Sequence, residues 1–168
     1  METKEFKKGE YLLKEGQISA NTYFVLEGCI RESMLSDGEE KTTNFFSEEQ
    51  RAISLNSLPP LSSARHNWVC IEETTVVVGN EKKAQELFKS FPRFKIISRT
   101  IMEAAFAEHK EALNSYYTES PEQRYLKLLK SRPQLVQKIP QYHIAGYIGL
   151  KPESLSRIRK RIASSSDE

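Results

Sequence analysis

Residues 139–162 limit the possible folds of this chain more than any other segment, because their pattern predicts two short helices separated by a turn. Ile144, Ala145 and Ile148 fall on one face of the first helix. Gly149 lies where that helix must end, since glycine adopts a left-handed cap without a Cβ clash. A helix, a glycine turn and a second helix are the elements of a helix-turn-helix motif.

The second helix of this segment carries an apolar face and a polar, basic face. Pro152 suits its first turn, where the missing N–H is not needed, and Glu153 follows near the positive end of the helix dipole. Leu155, Ile158 and Ile162 recur at spacings of three and four, which predicts a buried face. The remaining positions face outward to differing degrees: Ser154, Ser156, Arg157, Arg159, Lys160 and Arg161.

Charge is distributed unevenly along the 168 residues, whose formal net charge is +2. Residues 1–120 hold 15 Lys and Arg against 19 Asp and Glu, a balance of −4. Residues 121–168 hold 10 Lys and Arg against 4 Asp and Glu, a balance of +6. A protein that binds phosphate groups through one region needs that region to be basic. A solvated basic tail is the alternative explanation.

The first eighty residues predict a domain of short β-strands. Glycines mark turns about every ten residues, which is typical of a β-sandwich or barrel, at Gly9, Gly16, Gly28 and Gly38. Strand-like runs lie at 11–13, 22–26, 30–35, 41–46, 67–71 and 74–78. Residues 47–64 have no clean period, and we predict a loop or a short helical excursion there.

From Asn80 onward the pattern is helical. Asn80 is a suitable N-cap for a helix over 81–90. Pro92 begins a longer helix, over about 92–117, with an apolar stripe at Phe94, Ile97, Ile101, Ala104, Ala105, Phe106, Leu113 and Tyr116. The stripe predicts pairing with a second copy of the same helix. Packing along the β-domain is the alternative, and both can hold at once.

A third helix is predicted to begin at Ser120 and Pro121, after a break in the long helix. We expect four of its side chains to be buried: Tyr125, Leu126, Leu128 and Leu129.

The sequence offers no support for an enzyme, a metal protein or a membrane protein. His66, His109 and His143 are scattered and have no nucleophile at a matching spacing. Cys29 and Cys70 lie among apolar residues without metal-ligand spacing, so we expect buried free thiols, with a disulfide as the alternative. No leader opens the chain and no apolar run approaches ~20 residues. We therefore expect a cytoplasmic protein with no membrane partner.

The order of these parts resembles the Crp/Fnr family of transcription regulators. Residues 6–10, 15–16 and 23–28 are similar to the opening strands of that family. Residues 121–125 and 139–145 resemble a branch of it that is common in Bacteroidetes. The resemblance extends over nearly the whole chain, and the C-terminal match is the more specific one.

The resemblance implies an α+β fold in three parts. These are a cyclic-nucleotide-binding-like β jelly roll with a flanking helix over 1–91, a long dimerisation helix over 92–118, and a winged helix-turn-helix DNA-binding domain over 119–168. Because the chain stops six residues after Ile162, we expect the wing to be missing or minimal.

The function implied by this resemblance is transcription regulation by a homodimer that binds double-stranded DNA, with RNA polymerase as a further partner. A ligand-sensing or protein-interaction module whose helix-turn-helix does not bind DNA is the alternative.

The resemblance also assigns roles to the second helix of the motif. In the family a Glu, a Ser or Thr and an Arg reach bases, and the matching residues here are Glu153, Ser154, Ser156 and Arg157. Glu can accept a hydrogen bond from cytosine N4, and Arg can donate two to guanine. We assign the other basic side chains to phosphates: Arg159, Lys160 and Arg161. A solvated basic face is the alternative.

The effector pocket departs from the family pattern. Ser54 and Leu55 occupy the place of the family's Gly-Glu pair, and Arg65 occupies the place of its phosphate-binding Arg. Leu55 cannot accept a hydrogen bond from a ribose hydroxyl, so we do not expect cAMP to bind. No definite cofactor is predicted. An apolar effector, a different anionic effector and no effector all stay open.

Overall fold

The computed structural model describes residues 2–54 and 62–165. The chain divides into two compact units, Met1–Met102 and Glu103–Glu168. The division falls inside a long helix, so each unit contains one part of that helix.

The first unit contains a sandwich of two four-stranded sheets. The strands are β1 (Glu2–Phe6), β2 (Tyr11–Leu13), β3 (Asn21–Glu27), β4 (Ile30–Ser36), β5 (Glu39–Phe46), β6 (Arg51–Ile53), β7 (Asn67–Cys70) and β8 (Thr74–Asn80). One sheet has the order β1-β8-β3-β6 and the other β2-β7-β4-β5, with antiparallel pairs throughout. The β-sandwich predicted from the glycine spacing is confirmed.

Two strands were not predicted from the sequence. Strand β6 pairs with β3 through Thr22 opposite Ile53 and Phe24 opposite Arg51, so the prediction of a loop or helix was wrong for those residues. Ala52 is fully buried, but three residues are too few to show an alternating pattern. Strand β1 is largely exposed and pairs with β8 at the edge of the sheet. Residues 55–61, part of the same prediction, lie outside the described residues.

The core of the sandwich centres on Trp68, which is fully buried. Tyr23 and Phe46 meet its ring edge to face, with centroids 6.0 and 5.9 Å away. The Tyr23 hydroxyl donates a hydrogen bond to the Leu12 carbonyl at 3.2 Å, so its polar end is satisfied within the core. Cys29 and Cys70 are buried and form no disulfide, as predicted.

Two helices follow the sandwich. Helix α1 (Glu81–Ser90) is capped by the Asn80 side chain, which accepts from the Lys83 N–H at 2.9 Å. Helix α2 (Pro92–Thr118) extends over 27 residues. Both predicted helices are confirmed. Most of the predicted apolar stripe of α2 is exposed in the single chain, with Ile101 at 45% and Phe106 at 72% exposure.

The second unit continues from the latter part of α2 into four shorter helices. These are α3 (Pro121–Ser131), α4 (Pro133–Lys138), α5 (Gln141–Tyr147) and α6 (Pro152–Ser165). Ser120 and Gln123 form a reciprocal capping box at the start of α3.

The burial of α3 follows the prediction in part. Tyr125 and Leu128 are buried as predicted, and Leu129 is half-buried. Leu126 is 44% exposed, so that prediction was wrong: it lies about 100° around the helix from Tyr125.

Candidate nucleic-acid interface

Helices α5 and α6 are joined by residues 148–151, which form a turn closed by backbone hydrogen bonds. The Leu150 N–H donates to the Ala145 carbonyl at 2.8 Å, and the Gly149 N–H donates to the Gly146 carbonyl at 3.2 Å. Gly149 has φ +76°, the left-handed conformation predicted for this position. Ile144 and Ala145 are buried, and they fix α5 in the core of the second unit.

Helix α6 is anchored by one apolar face. Leu155 is fully buried, Ile158 is buried, and Ile162 is half-buried, as the spacing predicts. At the start of the helix, the N–H groups of Ser154 and Leu155 donate to the Lys151 carbonyl at 3.1 and 3.2 Å. The helix therefore presents its opposite face outward.

That outward face carries the residues assigned to bases and phosphates. Glu153, Ser156, Arg157 and Lys160 fall at i, i+3, i+4 and i+7, so they lie along one side of the helix, opposite Leu155. Glu153, Arg157 and Lys160 are exposed, and Ser156 is half-buried. The structure thus brings four of the seven predicted residues into a single line. We call these four residues the α6 face.

The other three predicted residues flank the α6 face. Arg159 is exposed beside it, and Ser154 is half-buried. The Ser154 hydroxyl accepts a long hydrogen bond from Arg157 Nη2, at 3.5 Å. Arg161 is held by Glu122 of α3 through an ion pair. That pairing raises the pKa of Arg161 and lowers the pKa of Glu122.

Arg124 of α3 connects the end of α2 to the turn before α6, and the sequence does not predict this role. Its guanidinium donates to the carbonyls of Tyr116 and Glu119, at the end of α2, at 3.2 and 2.5 Å. It also donates to the carbonyl of Ile148, in the turn before α6, at 3.2 Å from Nε and 2.8 Å from Nη2. The sequence shows that an Arg is present but not which backbone carbonyls it will meet, so no pattern could have revealed this role.

A second group of charges joins α2 to α3. Lys127 pairs with Glu111 at 2.9 Å and with Glu119 at 3.1 Å, which raises the pKa of Lys127. The Ser115 hydroxyl donates to the Glu119 carboxylate, and this bond, followed by the bond from Lys127, lowers the pKa of Glu119. These ion pairs therefore tie the end of α2 to α3.

The two predicted effector residues lie in different environments. Ser54, directly after β6, is buried, and its hydroxyl has no hydrogen-bond partner among the described residues. Arg65, just before β7, is exposed. Leu55 lies outside the described residues.

Residues 2–54 and 62–165 contain no group of three or more His, Cys, Asp and Glu that could hold a metal ion. None of the helices in that part of the chain has the length and apolar composition of a transmembrane span.

Comparison with protein families gives a match for the first part of the chain. Residues 3–91, which contain the sandwich and α1, match the family described as the cyclic nucleotide-binding domain. No curated protein sequence matches this chain.

Several solved structures are similar in fold. FixK2 from Bradyrhizobium japonicum superposes with a TM-score of 0.80 at 17% identity, covering 98% of this chain and 85% of that one. A CRP/FNR-family transcriptional regulator from Thermus thermophilus gives 0.73 at 16% identity, covering 98% and 87%. The c-di-GMP-responsive regulator CLP from Xanthomonas campestris gives 0.74 at 13% identity, covering 98% and 87%. At these identities the similarity shows a shared fold.

Proposed function

This chain belongs to the cyclic nucleotide-binding domain family, and its solved structural neighbours include a transcription regulator of the CRP/FNR family. From these findings we propose that it is a sequence-specific DNA-binding regulator of the Crp/Fnr type that acts as a homodimer. In this proposal α5, the turn and α6 form the helix-turn-helix, and RNA polymerase is a further partner.

The α6 face is the observation that carries this proposal. A helix that lies in the major groove must be fixed by one side and offer hydrogen-bonding side chains on the other. Leu155 and Ile158 supply the buried side, and the α6 face supplies an acceptor, a hydroxyl and two cations. Its four residues span about two helical turns, the length over which such a helix contacts base edges.

The side chains divide into base contacts and phosphate contacts. In the proposed complex Arg157, at the centre of the α6 face, donates to guanine O6 and N7, and Glu153 accepts from cytosine N4. Ser154 and Ser156 add short-range contacts. Arg159, Lys160 and Arg161 are assigned to the backbone, where they set register without reading sequence.

The exposed stripe of α2 supports the homodimer. A helix of 27 residues with apolar side chains facing solvent lacks a partner of its own length among the described residues. A second copy of α2 would cover the stripe and place two copies of α6 to read half-sites about one helical turn (~34 Å) apart. A signal in the sandwich would act by shifting the population of the DNA-competent arrangement.

The proposed effector is not cAMP. The family's Glu for the ribose hydroxyl is replaced by Leu55, and the exposed Arg65 has no buried setting in which to bind a cyclic phosphate. The Ser54 hydroxyl, which lacks a hydrogen-bond partner within residues 2–54 and 62–165, is a polar group that a different effector could satisfy.

A sensing or protein-interaction module that does not bind DNA is the second candidate. The ion pair between Arg161 and Glu122 favours it, because it engages one of the cations assigned to phosphate.

The proposal is tested by selecting bound sequences from a random duplex pool and then measuring affinity by fluorescence anisotropy at several salt concentrations. True DNA binding weakens steeply as salt rises, because counterions are released. Arg157→Ala should lower affinity for the selected duplex about 10- to 100-fold and leave non-specific binding nearly unchanged.

Lys82→Ala is a suitable control, because it removes one positive charge from an exposed position on α1. Absence of binding to any duplex at low salt would favour the second candidate. An unaltered sequence preference in Arg157→Ala would remove Arg157 from the base contacts.

A further inference from the structure

We infer that Arg124 is a positioning residue: it couples the end of α2 to the turn between α5 and α6, and it thereby sets the orientation of α6. The inference rests on the proposed DNA-binding function, because a fixed orientation of α6 matters only if α6 enters a groove.

On the α2 side, Arg124 satisfies backbone groups that the helix itself leaves unpaired. The last four carbonyls of an α-helix have no N–H partner within the helix. Arg124 Nη1 donates to the Tyr116 carbonyl and to the Glu119 carbonyl just beyond the helix end. Its guanidinium also lies over the Tyr116 ring, 4.8 Å from the ring centroid. One side chain thus holds both the backbone and a side chain of the helix terminus.

On the other side, the same guanidinium holds the turn. Both Nε and Nη2 donate to the carbonyl of Ile148, the residue that ends α5. The planar fork of Arg allows these bonds to coexist with the bonds to α2, whereas the single ammonium of Lys cannot reproduce the arrangement. The coupling therefore depends on the shape of Arg124 as well as on its charge.

The turn is packed closely against this pair. A Cβ atom at Gly149 would lie 3.3 Å from Tyr116 side-chain atoms and 3.4 Å from Arg124 Nη2. Because Gly149 has no Cβ, the Tyr116 ring and the Arg124 guanidinium can lie directly beside the backbone of the turn. A displacement of the Tyr116 end of α2 is therefore passed to Gly149, three residues before α6 begins at Pro152.

The first measurement compares the wild-type chain with Arg124→Gln and Arg124→Lys. The affinity of each for a selected duplex is measured well below its unfolding temperature. Both should weaken binding at least about tenfold, because charge-assisted hydrogen bonds to three carbonyls are lost or distorted. The salt dependence of binding should stay unchanged, since Arg124 contacts no phosphate in this proposal. Lys130→Gln, an exposed charge removal on the same helix, should have little effect.

Wild-type affinity in Arg124→Gln, or full rescue by Arg124→Lys, would overturn the inference. A reduced salt dependence would also overturn it, because Arg124 would then be a phosphate contact.

The second measurement needs no DNA. Amide hydrogen exchange should accelerate at least about tenfold at Gly149 and Leu150 in Arg124→Gln, and far less at Leu155 and Ile158. A uniform acceleration across the second unit would mean that Arg124 contributes only to stability, and it would overturn the inference. If the wild-type chain binds no duplex, the proposed function fails, while selective exchange at the turn would still support the coupling itself.

Discussion

Arg161, on the last helix, is joined to Glu122, in the first turn of α3, by an ion pair that spans 39 positions of sequence. Arg161 Nε lies 3.3 Å from Glu122 Oε1, and Nη2 contacts Oε2. The neighbouring cation, Lys160, lies on the exposed α6 face. Two adjacent basic residues, both assigned to phosphates from the sequence, therefore have different surroundings: one is ion-paired and the other is exposed to solvent.

This difference predicts unequal salt effects. Each phosphate contact contributes about 0.9 to the slope of log affinity against log salt. Lys160→Gln should reduce that slope by about 1, as expected for a lost phosphate contact. Arg161→Gln should reduce it by less than about 0.5, because its guanidinium already serves Glu122. Anisotropy titrations across several salt concentrations measure both slopes, and equal reductions would show that Arg161 leaves Glu122 for the DNA.

The same pair predicts a pH dependence of stability. Arg161 lowers the pKa of Glu122 below its ordinary value, so the folded state favours the carboxylate. The stabilisation is present above the ordinary pKa and is lost as pH falls through the folded-state pKa. Thermal unfolding between about pH 6 and pH 3 should therefore show a smaller decrease in Tm for Glu122→Gln than for the wild type. Solvent reaches both side chains of the pair, so we expect a small effect, and parallel curves would contradict it.

The local pattern of α5, the turn and α6 could be predicted from the sequence because the controlling forces act within a few residues. The spacing of Ile144, Ala145 and Ile148, and that of Leu155 and Ile158, follows the helical period. Gly149 adopts the positive φ that ends α5. Each of these features depends on neighbours along the chain rather than on distant contacts.

The contacts that tie the candidate interface together could not be predicted in this way. Arg124 binds carbonyls 5 to 24 positions away, and Glu122 meets a guanidinium 39 positions away. Carbonyls carry no sequence signal, because every residue has one. The burial of Leu126 was predicted wrongly because it is adjacent in sequence to the buried Tyr125 and therefore points about 100° away around the helix.

If the exposed stripe of α2 forms the dimer interface, a single charged substitution within it should dissociate the dimer. Ile101 is 45% exposed in the single chain but central to the proposed pairing. Ile101→Asp would bury an unpaired carboxylate between two helices, so it should shift the chain to a monomer at micromolar concentration. Sedimentation velocity measures the change, and circular dichroism should show an intact fold.

Thr100→Asp is the matched control, because it introduces the same charge at the exposed neighbouring position. It should leave the dimer nearly intact. A monomeric wild type, or equal dissociation in both variants, would contradict pairing through this stripe.

Cys70 predicts a loss of stability at alkaline pH. Burial raises the pKa of its thiol from 9.0 to about 11, while a hydrogen bond with Thr74 opposes the shift. Between these two values the unfolded chain loses the thiol proton and the folded chain keeps it, so the free energy of unfolding falls as pH rises. Cys70→Ala removes this contribution. Urea unfolding at about pH 8 and about pH 10.5 should show a smaller loss of stability for the variant than for the wild type, although the variant is less stable at the lower pH because of the cavity it creates. Equal losses would show that the folded thiol ionises as readily as the unfolded one.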